Sequence, residues 1–515
     1  GDVITDPEEL TLQTPESFFK RFRINMKIHH EVISIHPERK TVSVKNLENG
    51  EIFEEKYDKL ILSPGAKPTQ PRLPGVGMDK LFTLRTVEDT FRIKEYINKN
   101  HPKSAVLAGG GFIGLELAEN LRELGMDVTI VQRPKQLMNP FDPDMASMIH
   151  NEMRKHGIKL VLGYTVEGFK EKDNGVEVLL KDNPSLQADM VVLAIGVTPD
   201  TVLAKEAGLE LGIKESIVVN DRMETSVPDI YAAGDAVQVK HYVTGNDALI
   251  SLAGPANKQG RIIADNICGG DSRYLGSQGS SVIKVFDMTA ATTGINETNA
   301  KKSGLEVDTV ILSPMSHAGY YPGGKVMTMK VVFEKETYRL LGAQIIGYEG
   351  VDKRIDVLAT AIHAGLKATQ LKDLDLAYAP PYSSAKDPVN MAGFMIDNIA
   401  KGTLKQWHLE DMDKISRDKS VVLLDVRTVG EFNRGHMDGF KNIPVDELRE
   451  RINEIEKGKP VYLICQSGLR SYIASRILEG NGYETYNFSG GFRFYDAVVN
   501  DRALIERAYA CGMDY

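Results

Sequence analysis

The chain has 515 residues, 42% hydrophobic and 26% charged, with a formal net charge of −9. It is long enough for several packed cores and ordinary in composition for a soluble globular protein. Its acidic balance, without a long basic run, argues against a nucleic-acid partner, and it lacks the ~20 uninterrupted apolar residues of a membrane span. Cys268, Cys465 and Cys511 build no disulfide framework, which fits a reducing cytoplasm. No signal peptide is recognisable, and no grouping of residues reads as a metal site. The chain begins Gly1-Asp2-Val3 rather than with methionine, so a fragment or a processed form is expected.

In chain order, Lys59–Ala66 reads as a strand ending in a tight turn at Ser63-Pro64-Gly65. Residues 103–107 read as a buried strand, followed by Gly109-Gly110-Gly111-Phe112-Ile113-Gly114, a helix, and a second strand over 127–131. Gly109, Gly111 and Gly114 fit G-x-G-x-x-G inside a βαβ unit. The first makes the turn, the second lets a pyrophosphate approach the backbone, and the third lets helix pack on strand. Gln132-Arg133 stands where an acidic residue would bind a ribose 2′-hydroxyl. An arginine there suits a 2′-phosphate, so NADH and NADPH both remain open.

A similar turn recurs at Ala194-Ile195-Gly196-Val197. The run Thr225–Asp235 is a buried strand ending in Gly234-Asp235, where the carboxylate either caps the next helix or binds a ligand hydroxyl. Cys268 sits at a helix end. From Ser281 the pattern becomes strands. Those at 326–333 and 340–347 alternate and need cover on one face, and a helix follows over 351–364. Residues 389–404 lead into the last domain, and Trp407 is expected to pack at that join.

The most informative stretch is the apolar run Pro460–Ile464, followed at once by Cys465-Gln466-Ser467-Gly468-Leu469-Arg470-Ser471. A strand ends in a cysteine, and a helix begins near Leu469. Converging backbone N–H groups and a helix N-terminus favour the thiolate, so Cys465 is expected to be a nucleophile rather than a buried filler.

Together with Asp425-Val426-Arg427, Glu431-Phe432, Gly435-His436, Asn442-Ile443-Pro444 and Ser489-Gly490-Gly491, this loop resembles a single rhodanese domain over about 405–505. The resemblance makes Cys465 the sulfur carrier, within a loop completed by Gln466, Ser467, Gly468, Leu469 and Arg470. Asp425, Arg427 and His436 are then framework.

Residues 1–400 resemble the pyridine nucleotide–disulfide oxidoreductases, in the branch of coenzyme A-disulfide reductases, NADH oxidases and NADH-dependent persulfide reductases. The implied fold is α/β. It comprises two Rossmann-like domains for FAD and NAD(P)H (the FAD domain incomplete), an α+β dimerisation domain and the rhodanese domain. The implied bounds are 1–101 and 223–280 for FAD, 102–222 for NAD(P)H, 281–400 for dimerisation and 401–515 for rhodanese.

NAD(P)H would then contact Gly109, Gly111, Gly114, Gln132, Arg133 and Gly196. FAD would contact Ser63, Gly65, Gly234, Asp235 and Ala253, the last in the segment Ser251–Arg261 that abuts the flavin. Tyr320 and Tyr378 match tyrosines that reach the partner subunit's active site, where a phenol can donate to a thiolate; packing at an interface is an equal reading. Lys386 is a candidate for a coenzyme A phosphate. Arg21 is a second one, beside a plainer role as surface charge. The family's glycine-rich FAD turn and redox cysteine are not in this sequence, so roughly 50 residues are expected to be missing relative to it. As written, the chain is expected to bind FAD poorly and reduce no disulfide. The expected activity of the parent is reduction of coenzyme A disulfide, coenzyme A persulfide or polysulfide by a cytoplasmic homodimer. The alternatives are an NADH oxidase-like flavoenzyme, a sulfurtransferase alone, or a non-catalytic redox sensor.

Overall fold

The computed structural model describes residue 4, residues 6–172 and residues 175–510; Cys511 lies outside the described residues. Among these, no helix is long and apolar enough to cross a membrane. The chain forms two compact units.

One unit combines the residues up to Thr69 with Gly196–Ser277. Its strands His30–His36, Thr41–Asn46 and Ile52–Lys56 form an antiparallel sheet. Leu60–Leu62 pairs in parallel with Ile230–Ala232, and Ala66–Pro68 pairs antiparallel with Val197–Pro199. Ile35, Val42, Ile217, Ile230 and Ile263 meet in its core.

The other unit holds Gln70–Ile195 and the chain from Gln278 onward. Its first sheet is parallel, in the order Leu81–Thr83, Met190–Leu193, Ser104–Ala108, Asp127–Gln132, Lys159–Leu162. The strands are apolar because both faces are covered, as in doubly wound sheets. An antiparallel five-stranded sheet follows, with Leu340–Gly347 at its centre between Met288–Gly294 and Met327–Glu334. The last sheet is parallel, in the order Gln406–Trp407, Thr485–Phe488, Val461–Ile464, Val422–Asp425, Lys441–Asn442. One hydrophobic cluster runs from Leu107 and Ile130 through Ile283 and Ile346 to Phe494 and Val498, so these three domains share a core.

Two expectations are corrected, for the central strands and for Trp407. The two compact units divide at Thr69/Gln70 and Ile195/Gly196, beside the expected domain bounds 101/102 and 222/223. Leu81–Thr83 adds to the nucleotide sheet and Val197–Pro199 to the other unit, and strands of three residues are too short for periodicity to reveal. The central strands do not alternate either. Every residue of Leu340–Gly347 and all but one of Met327–Glu334 are buried within one chain. Helices Val351–His363 and Pro143–Lys155 both pack on Leu340–Gly347, so the cover comes from two domains of the same chain. Trp407 does not pack at a join: it lies in the last sheet among Phe440, Tyr462 and Phe488.

Candidate active sites

The glycine turn shows a different constraint at each glycine. Gly109 has φ +118°, and a Cβ there would lie 2.2 Å from Ala194 O. A Cβ at Gly114 would lie 2.1 Å from Gly109 O, so only glycine lets helix Phe112–Glu123 seat on the strand. A Cβ at Gly111 would meet no atom within 4 Å. Gly111 is also the N-cap of that helix, with no side chain capping it. Open space in front of uncapped N–H groups is what a pyrophosphate needs, so the residues fit a dinucleotide. Gln132 is partly engaged: its Oε1 accepts from Gly110 N–H at 3.1 Å and braces the turn. Arg133 is exposed.

In the other unit, Ser63 and Gly65 follow strand Leu60–Leu62, with Gly65 at φ +70°. Gly234 has φ +80°, and its N–H donates to Gln259 Oε1 at 2.7 Å. Asp235 lies in the short turn Gly234–Ala236. Ala253 opens helix Ala253–Ile267, whose N-terminus has no side-chain cap. The carboxyl ends of two parallel strands and an uncapped helix N-terminus fit a dinucleotide as well. Gly196 precedes Val197–Pro199 at φ +108°, with its carbonyl accepting from Thr69 N–H. Arg21 is exposed on helix Pro15–Phe22.

Tyr320 and Tyr378 meet: their hydroxyls lie 3.2 Å apart, and both rings are exposed. The meeting has a cause. Arg354, 1% exposed, pairs with Asp387 at 3.0 Å and donates to Ser316 O at 2.8 Å and Ser383 Oγ at 3.2 Å. Ala318 N–H also donates to Ser383 O at 2.9 Å. One buried guanidinium thus ties together the two segments that carry the tyrosines. The hydrogen bond with Tyr320 holds the Tyr378 phenol above its ordinary value. Beside the pair is a cavity of about 550 Å³, lined by His317, Glu349, Lys353 and Tyr382 among others. Lys386 is exposed at the end of the second segment.

Cys465 is 1% exposed at the end of Val461–Ile464. Gly468, at φ +99°, turns the loop into helix Leu469–Glu479. The expected convergence of backbone donors is narrower than supposed: Gly468 N–H donates to Sγ at 3.1 Å, and the second donor is the Ser471 hydroxyl at 3.2 Å. Gln466 is fixed from outside, because its carbonyl accepts from Arg493 N–H and a Cβ on Gly491 would lie 2.7 Å from that carbonyl. Ser467 is half-buried and Leu469 exposed at the mouth. Arg470 grips Glu431 through two bonds of 2.7 Å. Arg427 grips Asp425 at 2.6 Å, both fully buried. His436 stacks on Phe432 at 3.9 Å between centroids.

Ser471 and Asp501, like the Arg354 tie and the Arg470–Glu431 pair, escaped sequence reasoning. Ser471 lies one residue beyond the loop, and its spacing from Cys465 was the available signal. Asp501, near the C-terminus, accepts from His150 Nδ1 at 2.8 Å and from Arg154 at 2.5 Å on helix Pro143–Lys155; no local pattern announces it.

The sequence pattern of the pyridine nucleotide-disulphide oxidoreductases matches residues 5–260, that of their dimerisation domain matches 280–388, and a rhodanese-like domain matches 408–497. Coenzyme A disulfide reductase of Staphylococcus aureus is 36% identical over 395 residues, which is 76% of this chain and 88% of the relative. The crystal structure of reduced Bacillus anthracis CoADR-RHD superposes with a TM-score of 0.94 at 46% identity, covering 97% of this chain and 90% of that one. A NAD-dependent persulfide reductase from A. fulgidus gives a TM-score of 0.89 at 37% identity, covering 96% and 91%.

Proposed function

The chain belongs to the pyridine nucleotide-disulphide oxidoreductases, and from that membership we propose that, together with the family's glycine-rich FAD turn and redox cysteine, neither of which is in this sequence, it uses NAD(P)H and FAD to reduce coenzyme A disulfide or coenzyme A persulfide, with sulfane sulfur delivered by its own rhodanese domain. One observation carries the reading: the domain whose cysteine loop can hold a persulfide packs Phe494 and Val498 into the hydrophobic core beneath a glycine cradle that can hold a dinucleotide. The names of the S. aureus and A. fulgidus relatives supply the substrate class.

Bound NAD(P)H and FAD supply the two electrons that split a disulfide into thiols, or a persulfide into thiol and hydrogen sulfide. The chain's residues hold and orient. In the turn that Gly109 and Gly114 shape, Gly111 would leave room for the NAD(P)H pyrophosphate, and Gln132 and Arg133 present no carboxylate against a 2′-phosphate. Ser63, Gly65, Gly234, Asp235 and Ala253 would hold FAD, and Gly196 would be a further NAD(P)H contact. Tyr320 and Tyr378, acting as a hydrogen-bonded pair, donate a proton to the thiolate leaving the substrate. Lys386 and Arg21 attract coenzyme A phosphates. The dimerisation domain brings the tyrosine pair to the partner subunit's flavin. At the rhodanese loop, Cys465 attacks a sulfane sulfur and keeps it as a persulfide.

Cys465→Ala tests this. Sulfur transfer from persulfides is expected to vanish while NAD(P)H-dependent turnover of small disulfides persists in holoenzyme that carries the family's FAD turn and redox cysteine, since the two reactions use separate residues. Equal loss of both would refute the two-site arrangement. A flavin absorption band in the purified protein separates this reading from that of a sulfurtransferase alone.

A further inference from the structure

Two arginines flank Cys465, and each is already matched by a carboxylate. Arg427 spans both oxygens of Asp425 and also donates to Gly435 O at 2.8 Å and to Gln466 Oε1 at 3.4 Å. It is buried, so its orientation is fixed. Arg470 belongs to the cysteine loop itself, in the first turn of the helix that begins right after Gly468, whose N–H donates to the sulfur. Its Nη1 and Nη2 donate to Oε2 and Oε1 of Glu431, both at 2.7 Å. That two-pronged geometry is the strong form of a guanidinium–carboxylate pair. Glu431 is in turn held from behind: Thr428 N–H and Oγ–H donate to Oε2 at 3.0 and 2.8 Å, in a capping box that starts helix Val429–Arg434. The carboxylate cannot swing away without breaking the helix start. Neither flanking guanidinium therefore presents an uncompensated positive charge to a ligand at the sulfur.

Sulfur donors differ in charge where they meet Cys465. Thiosulfate is a dianion, and its leaving group is sulfite. An alkyl persulfide carries one negative charge and leaves as a thiolate. With either donor, the Cys465 thiolate attacks the sulfane sulfur. The donor's S–S bond breaks, and its electron pair departs on sulfite or on the alkyl thiolate. The product is Cys465 persulfide, with no outside oxidant or reductant. A dianion approaching a thiolate needs a cation whose charge is not already matched. We propose that Glu431, by holding Arg470, sets the donor preference of Cys465, turning away thiosulfate and other sulfur oxyanions in favour of alkyl persulfides. Glu431 is thus a positioning residue that acts through Arg470. The inference rests on Cys465 being the sulfur carrier.

The test is single-turnover loading of Cys465 in the full chain, read as the sulfur mass gained by the intact protein. The donors are inorganic thiosulfate and N-acetylcysteamine persulfide, whose tail is uncharged. The quantity read is the ratio of the two second-order rates, because a merely structural role for Glu431 would slow both donors alike. Glu431→Gln keeps the shape and removes the charge. Its thiosulfate-to-persulfide ratio is expected to rise tenfold or more, equivalent to about 1.4 kcal/mol, and Glu431→Asp should stay within threefold of the unaltered chain. Deleting both charges, in Glu431→Gln with Arg470→Met, is expected to return the ratio to within threefold of the unaltered chain, since the pair is neutral as a pair. If Glu431→Gln does not fold, this double variant carries the test: a tenfold fall in its ratio would show that Arg470 attracts the dianion despite Glu431, and would overturn the proposal. A ratio in folded Glu431→Gln within threefold of the unaltered chain overturns it too. So does a gain that survives Arg470→Met, which would point to another cation such as the exposed Arg493. If Cys465→Ala loads as fast as the unaltered chain, the assignment of the sulfur carrier fails instead, a distinct result.

Discussion

The sulfur of Cys465 receives two hydrogen bonds, and only the one from Gly468 is built into the backbone. The other depends on Ser471, a fully buried hydroxyl that also lies 3.1 Å from Gly468 O. A hydroxyl has one proton to give. Facing a thiolate or persulfide it gives that proton to sulfur, because a charged acceptor makes the stronger bond. Removing such a bond costs about 1.5–3 kcal/mol. Ser471→Ala is therefore expected to slow both sulfur loading and alkylation of Cys465 by about tenfold or more at neutral pH, with little change in fold. Iodoacetamide kinetics, with Cys465→Ala as background, measure it. An unchanged rate would show that the backbone donor suffices.

The turn between strand Ser104–Ala108 and helix Phe112–Glu123 separates packing from binding by glycine. At Gly114 a methyl group would collide with Gly109 O, so Gly114→Ala must push the helix off its strand. At Gly111 a methyl group would touch no protein atom, and φ −90° is ordinary for any residue. Gly111→Ala is thus expected to leave the melting temperature nearly unaltered while weakening NAD(P)H binding at least tenfold, because the methyl fills the space a pyrophosphate would occupy. Differential scanning fluorimetry and nucleotide titration check the two halves; equal affinity would mean the cradle is not the binding site. This turn and the cysteine loop were legible in the sequence because their chemistry lies within six consecutive residues. The tyrosine pair was recognisable only by resemblance, its members being 58 residues apart. The Arg354 tie, the Arg470–Glu431 pair and the Asp501 contacts were illegible for a like reason: each joins segments whose proximity only the fold creates. The sheet Met327–Glu334/Leu340–Gly347 was misread because periodicity reports one chain's alternation and not the helices brought to both faces.

The assembled chain makes two further expectations concrete. If the tyrosine pair serves the partner's flavin, a heterodimer of a Gly114→Val subunit with a Tyr320→Phe, Tyr378→Phe subunit has one site carrying both lesions and one intact site. Activity is then expected at about half that of the unaltered dimer, as one of two independent sites survives. No recovery in verified heterodimers would place the tyrosines in their own subunit's site. The second concerns the seat of the last domain. Burial would raise the Asp501 carboxyl, but the hydrogen bonds from His150 and Arg154 and the charge of Arg154 outweigh it and hold the group below its ordinary range. A carboxyl lowered in the folded state stabilises fully above its unfolded value, near 4, and this contribution is lost as pH falls through the lower folded value. Acid is therefore expected to loosen the last domain, and Asp501→Asn should flatten that part of the stability profile. A profile identical in the variant would show that Asp501 is not the group concerned.

That same contact orders events during synthesis. His150 and Asp501 are 351 residues apart, and Asn151 reaches Ala497 across 346. At ribosomal rates of about 5–20 residues per second, the helix Pro143–Lys155 is made roughly 20–70 s before the helix that covers it. The nucleotide sheet thus emerges with one flank bare and is finished only by a segment translated 346 to 351 residues later. Pairings this distant close slowly, because loop entropy is lost before any contact compensates. The rhodanese domain is in this sense the keystone of the reductase it serves: a chain halted before Gly491 leaves Ile149 and Met153 without their finished surroundings, open to association with other nascent chains.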